Sequence, residues 1–118
     1  MPDKRALNSV LGTVDNTVGG ITFGTAVPAN MRRYIYKIKT ANQFAGANQL
    51  QFGHITAPAA GVVLDYIEHA LQYDMWNDPD DVQEDSAPIY ILPAGSQLWG
   101  IASAAGDIMV YVEYEDSE

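Results

Sequence analysis

From Ile21 onward, hydrophobic and polar residues alternate with a period of two, the spacing that turns one face of a strand toward a core and the other toward water. In "RRYIYKIKT" (residues 32–40), Tyr34, Tyr36 and Ile38 fall on one face and Arg33, Ile35, Lys37 and Lys39 on the other. "NQLQFGHIT" (48–56) places Leu50, Phe52 and His54 together against Gln49, Gln51 and Ile55, with Gly53 marking a bulge position. "APIYIL" is followed by the turn residues Pro93 to Gly95, and "QLWGIAS" and "DIMVYVEYE", separated by "AAG", are expected to form a hairpin. Along its second arm Ile108, Val110, Val112 and Tyr114 share one face, and Met109, Tyr111, Glu113 and Glu115 the other.

Two stretches break this rhythm. In "VVLDYIEHALQYDMW" (62–76), Leu64, Ile67, Ala70 and Leu71 fit a helical stripe, yet the β-favouring entry through Val62 and Val63 tilts the expectation toward strand. Ahead of Ile21 the chain is glycine-rich and thinly hydrophobic. There Leu7, Val10, Leu11 and Val14 recur at helical spacing, with Asp3 as an N-cap and Gly12 as a stop, which permits a short amphipathic helix. A helix of that length needs a surface to lie against, so residues 1–20 are read either as a frayed terminus or as an arm that docks on a neighbour. The expected architecture is all-β, a jelly roll or β-sandwich over residues 21–118 preceded by an extended N-terminal arm over 1–20.

At 118 residues the chain supports one core of its own. It contains no cysteine, which excludes disulfides and thiolate chemistry. It has no apolar run of the roughly 20 residues that span a bilayer, and the start lacks the pattern of a secretory signal, so a soluble chain made in a cytoplasm is expected. Its charge is divided unevenly. Residues 1–40 carry all six Lys and Arg (Lys4, Arg5, Arg32, Arg33, Lys37, Lys39) against Asp3 and Asp15, or 6 − 2 = +4, while residues 41–118 carry 13 acids and no Lys or Arg. A net charge of −9 repels phosphate backbones, so neither nucleic acid nor membrane is expected as a partner.

No residue pattern carries catalysis. Asp78, Asp80, Asp81, Glu84 and Asp85 cluster in "NDPDDVQEDSAP", without the order of an EF-hand loop, and are read as a solvated acidic loop. His54 and His69 form no metal-ligand motif and are read as half-exposed strand residues. Ser96 lies beside glycine but outside a nucleophile elbow. No catalytic residue, metal ligand or cofactor is expected. Trp76, Trp99, Tyr73 and Tyr90 could stack on sugars or anchor an interface, with Trp99, between Leu98 and Gly100 in a strand, expected in the core.

The order of "MRRYIYKIKTAN" and, near the end, "IYILPAGSQLWGIASAAGDIMVYVEYE" resembles small jelly-roll virion proteins of tailed phages, over roughly residues 31–56 and 88–115. The middle departs from that pattern, being longer and more acidic. The resemblance implies a structural, non-enzymatic virion protein, foremost a capsid decoration (cement) protein that oligomerises, with a trimer as the expected form. Its partners would be the major capsid protein or another virion protein, and its location the virion, assembled in the host cytoplasm. The residues expected to bind partners are Lys4, Arg5, Leu7, Val10 and Leu11 of the arm, and Arg33, Lys37 and Lys39 of the cationic strand. Those cations either meet an acidic surface of an identical neighbour or pair with Glu113 and Glu115 on an adjoining strand. The alternative function is a carbohydrate- or host-binding module of a tail fibre.

Overall fold

The computed structural model describes residues 7–56, 59–79, 82–83 and 85–118. Among them nine strands follow in chain order: β1 (Asn8–Val14), β2 (Ile21–Phe23), β3 (Arg32–Asn42), β4 (Asn48–Ile55), β5 (Val62–His69), β6 (Met75–Asp78), β7 (Tyr90–Leu92), β8 (Gln97–Ala102) and β9 (Ile108–Ser117). They form two antiparallel sheets. The front sheet runs β1-β9-β3-β6, with β7 also pairing to β3, and the back sheet runs β2-β8-β4-β5. The pairings are nested: β1 with β9 encloses β2 with β8, which encloses β3 with β6, which encloses β4 with β5. This nesting, folded over into two layers, is jelly-roll topology. The core between the layers is built from alternate strand residues, among them Val14, Ile35, Ile38, Leu50, Phe52, Ile67, Leu98, Ile108, Val110 and Val112.

Three sequence expectations change. Residues 8–14 are strand, not helix: β1 pairs with β9 from Asn8 opposite Tyr114 to Val14 opposite Ile108. The period-two set Val10, Gly12 and Val14 turns inward and outweighs the helical spacing, because β9 offers seven residues of pairing that an isolated helix could not match. Gly12 is therefore not a helix stop. A Cβ there would lie 2.4 Å from Cγ of Phe23, so the missing side chain lets β1 and β2 approach each other. Next, "QLWGIAS" and "DIMVYVEYE" are not a hairpin, since β8 belongs to the back sheet and β9 to the front. The "AAG" segment carries the chain across the sandwich instead. Finally, β3 does not keep one alternation. Its pairing with β9 slips between Ile35 and Lys37, so Arg33 and Ile35 point into the core on one side of the bulge, and Ile38, Thr40 and Asn42 on the other.

Elsewhere the reading holds. Residues 62–76 are strand, broken by a turn into β5 and the start of β6. The pairing of β4 with β5 shifts between Phe52 and Gly53, at the expected bulge. The turn at Pro93 to Gly95 is closed by the Ser96 N–H donating to the Pro93 carbonyl at 3.2 Å, with Gly95 at φ 81°.

Candidate interaction face

The front sheet leaves its outer face open. Reading across the strands, one row is Leu11, Tyr111, Lys39 and Asn77, and the next is Thr13, Met109, Ala41 and Met75. Leu11 and Met75, on the two outermost strands of that order, are 60% and 58% exposed, large values for apolar side chains in paired strands. Leu11, Lys37, Lys39, Ala41, Met109, Tyr111 and the acid Glu113 are among the residues lining a shallow groove of about 530 Å³ on this face. Further along, Ile91 of β7 lies opposite Tyr34 and is also exposed.

The cations are confined to the same strand. Among the described residues all Lys and Arg lie on β3, and they fall into two kinds. Arg32, Lys37 and Lys39 face outward. Lys37 stands directly opposite Glu113, which matches pairing within the subunit, while Lys39 stands between Tyr111 and Asn77. Arg33 faces inward and corrects its expected role in partner binding. It is 1% exposed, its Nε and Nη2 donate to the two carboxylate oxygens of Asp116 at 2.8 and 2.9 Å, and its Nη1 donates to the Thr25 carbonyl at 2.7 Å. The guanidinium also lies 4.2 Å from the centre of the Tyr114 ring. A buried arginine is tolerable only when satisfied in this way, and satisfied in this way it has nothing left to offer a second molecule. The bulge at Tyr36 causes the difference, because it reverses the parity between Arg33 and Lys37.

The expected arm residues separate as well. Val10 packs against the core while Leu11 points out to the groove, and Leu7 is half-buried ahead of β1. Lys4 and Arg5 lie outside the described residues, as do Asp80, Asp81 and Glu84 of the acidic loop. No group of acids and histidines suited to a metal ion occurs among the described residues.

The remaining candidates have structural duties. Ser96 is buried, and its hydroxyl donates to the Pro93 carbonyl at 2.6 Å. His69 is not half-exposed but buried at 1%, sharing a 2.8 Å hydrogen bond with the Thr40 hydroxyl across the two sheets. Burial holds its pKa below the ordinary value despite the opposing pull of Asp74, so at neutral pH the 3.9 Å approach of Asp74 to Nδ1 is a contact with a neutral ring. His54 is likewise lowered by burial. It stands six positions along β4 from Asn48, the residue opposite His69, which separates the two histidines by about 20 Å and rules out a shared ligand. Trp99 is buried with its indole N–H donating to the Gly19 carbonyl at 2.7 Å, and Trp76 and Tyr90 pack against the core. Burial pushes the Tyr90 hydroxyl up to about 12, helped by its hydrogen bond to Asp65, so it stays protonated.

No family model matches the chain, and no curated protein matches it. Among solved structures it is similar to Eiger TNF from S. frugiperda, at a TM-score of 0.40 and 9% identity, over 97% of this chain and 96% of that one.

Sequence reasoning missed the turn between β5 and β6. Leu71 and Tyr73 are 71% and 68% exposed there, directly ahead of Met75. Asn42 holds this turn from beneath: its N–H donates to the Asp74 carbonyl, its carbonyl accepts from the Tyr73 N–H, and its side-chain amide donates to the Leu71 carbonyl, at 2.8–3.0 Å. The available signal was three large apolar residues at alternate positions in a segment with no long apolar partner nearby.

Proposed function

We propose that this chain is a structural, non-enzymatic protein of a virion, a decoration protein that attaches to the outside of a capsid through the major capsid protein or another shell protein and assembles there with copies of itself, a trimer being the expected form. The observation that carries the reading is the open face of the front sheet, where exposed Leu11 and Met75 lie among the outward cations of an otherwise acidic molecule. Leu11, Met109 and Tyr111 line one groove on this face, and exposed apolar surface of this kind marks a contact site. Exposed ion pairs add about 0–1 kcal/mol each, so the lysines would choose partner and register while the apolar residues supply affinity.

Antibodies to the chain, applied to intact virions that carry its gene and viewed by electron microscopy, should label the shell surface. Labelling confined to tail tips, or none, would overturn the reading. The arm has its own test, which must spare β1: removing residues 1–6 alone should weaken attachment and leave the circular dichroism of the β fold unchanged. A sugar-binding module on a tail fibre has less support, since of the four aromatics named for stacking Trp99, Trp76 and Tyr90 are occupied in packing and Tyr73 alone is exposed.

A further inference from the structure

We propose that the groove on the front sheet receives the β5–β6 turn of a second copy of this chain, with Tyr73 as the inserted side chain. This rests on the self-assembly part of the function proposed above and names the two surfaces that meet.

The donor is a fixed projection. Tyr73 has φ 65°, a left-handed conformation that L-residues with bulky side chains seldom adopt, and the three hydrogen bonds from Asn42 hold it there. The result is an aromatic ring held out in water at 68% exposure, beside Leu71 at 71%. A backbone already fixed before contact loses little entropy on binding, and aromatic residues dominate interface affinity.

The receiver offers both apolar contact and a cation. It is lined by Leu11, Met109 and Tyr111 together with Lys37, Lys39 and Glu113; Glu113 stands opposite Lys37, so Lys39 is the cation the groove presents. The turn and its flanks carry Glu68 and Asp74 and, among the described residues of β5 and β6 and the turn between them, no Lys or Arg. A second copy therefore brings acids to Lys39 along with the ring. A nucleic acid or an acid-binding partner would meet the wrong sign on one surface or the other. Each copy offers one turn and one groove, so the contact is complementary between identical chains.

Analytical ultracentrifugation of the full chain over a range of concentrations tests this. The wild type should self-associate. Lys39→Glu in one variant, and Glu68→Lys in another, should each weaken association about tenfold or more, and an equimolar mixture of the two should restore it. Tyr73→Asn removes the ring while keeping a residue that tolerates left-handed backbone, so it should weaken association by a similar factor without lowering the melting temperature. Association unchanged by all three variants, or mixing without rescue, overturns the inference. A wild-type chain that stays monomeric in solution yet labels virion shells overturns it while sparing the proposed function. Unlabelled shells with a chain that associates through Tyr73 do the reverse. Loss of shell labelling by Tyr73→Asn with self-association intact would assign the turn to a different shell protein, and also overturns it.

Discussion

The outward side chain on the inner strand β8 of the back sheet and those of the front sheet are finished differently. On the back sheet the large outward residue, Trp99, is roofed by the subunit's own backbone: a Cβ on Gly20 or Gly61 would fall 2.2 and 2.7 Å from its indole atoms, so glycine is what lets both segments close over the ring. On the front sheet Leu11, Met75 and Ile91 remain exposed and no comparable cover reaches them among the described residues. The subunit covers the ring on the inner strand β8 with two short glycine-bearing segments while leaving apolar residues exposed on the front sheet and, on β5 of the back sheet, Tyr66 and Val62; the covered ring stabilises the fold, and the front sheet alone joins exposed apolar residues to the outward lysines.

The largest expected effects belong to the covered side. Trp99→Ala removes a buried ring and its hydrogen bond to Gly19, and should cost about 3–5 kcal/mol in urea unfolding while leaving the affinity of any front-face contact alone. A cost below about 1 kcal/mol would mean that the roof contributes little to folding. Next comes a contrast inside one strand. Arg33→Met should cost about 3 kcal/mol, at the lower end for a broken buried pair because Asp116, 18% exposed, recovers some hydration.

A smaller effect comes from the histidines. Burial holds both below their ordinary value of 6.5, so the unfolded chain takes up protons first; their stabilising contribution is complete above about pH 6.5 and declines as pH falls below it. The melting temperature should therefore drop between pH 7.5 and 6, and His69→Gln, which keeps a polar group near Thr40, should reduce the drop. An identical slope in the variant would remove His69 as its source. The smallest effect is expected at Lys39→Glu, within about 0.5 kcal/mol of wild type in folding stability despite reversing a charge on the same strand as Arg33. A loss comparable to that of Arg33→Met would erase the distinction between the two sides of β3.

Much of the architecture was legible from alternation alone, because Ile108, Val110 and Val112, or Leu50 and Phe52, have their inward positions imposed by a period that no other element shares. What alternation could not show was which strand each one pairs with. "QLWGIAS" and "DIMVYVEYE" are separated as a hairpin would be, yet they part into different sheets, since in nested pairing each finds its partner far away in sequence. The helical spacing at Leu7, Val10, Leu11 and Val14 coincides with an equally valid strand pattern, and only the presence of β9 decides between them. Of the candidate site, Lys37 and Lys39 were visible as outward residues, while Leu11 was named for partner contact but on a helical stripe that the structure replaces with a strand. Arg33 was misassigned by a single-residue slip at Tyr36, which the sequence does not mark with glycine or proline. Tyr73 was named as a possible anchor, but the turn that presents it escaped notice because its significance lies in a backbone angle and in the support of Asn42, 31 positions earlier (73 − 42).

The outermost of the nested pairs has a practical corollary. Asn8 lies beside Tyr114, at the pole of the sandwich where Arg32 meets Ser117, whereas Asn42 and the Tyr73 turn occupy the opposite pole. A fluorophore or affinity handle joined behind β9 thus departs from the extremity remote from the tyrosine tip.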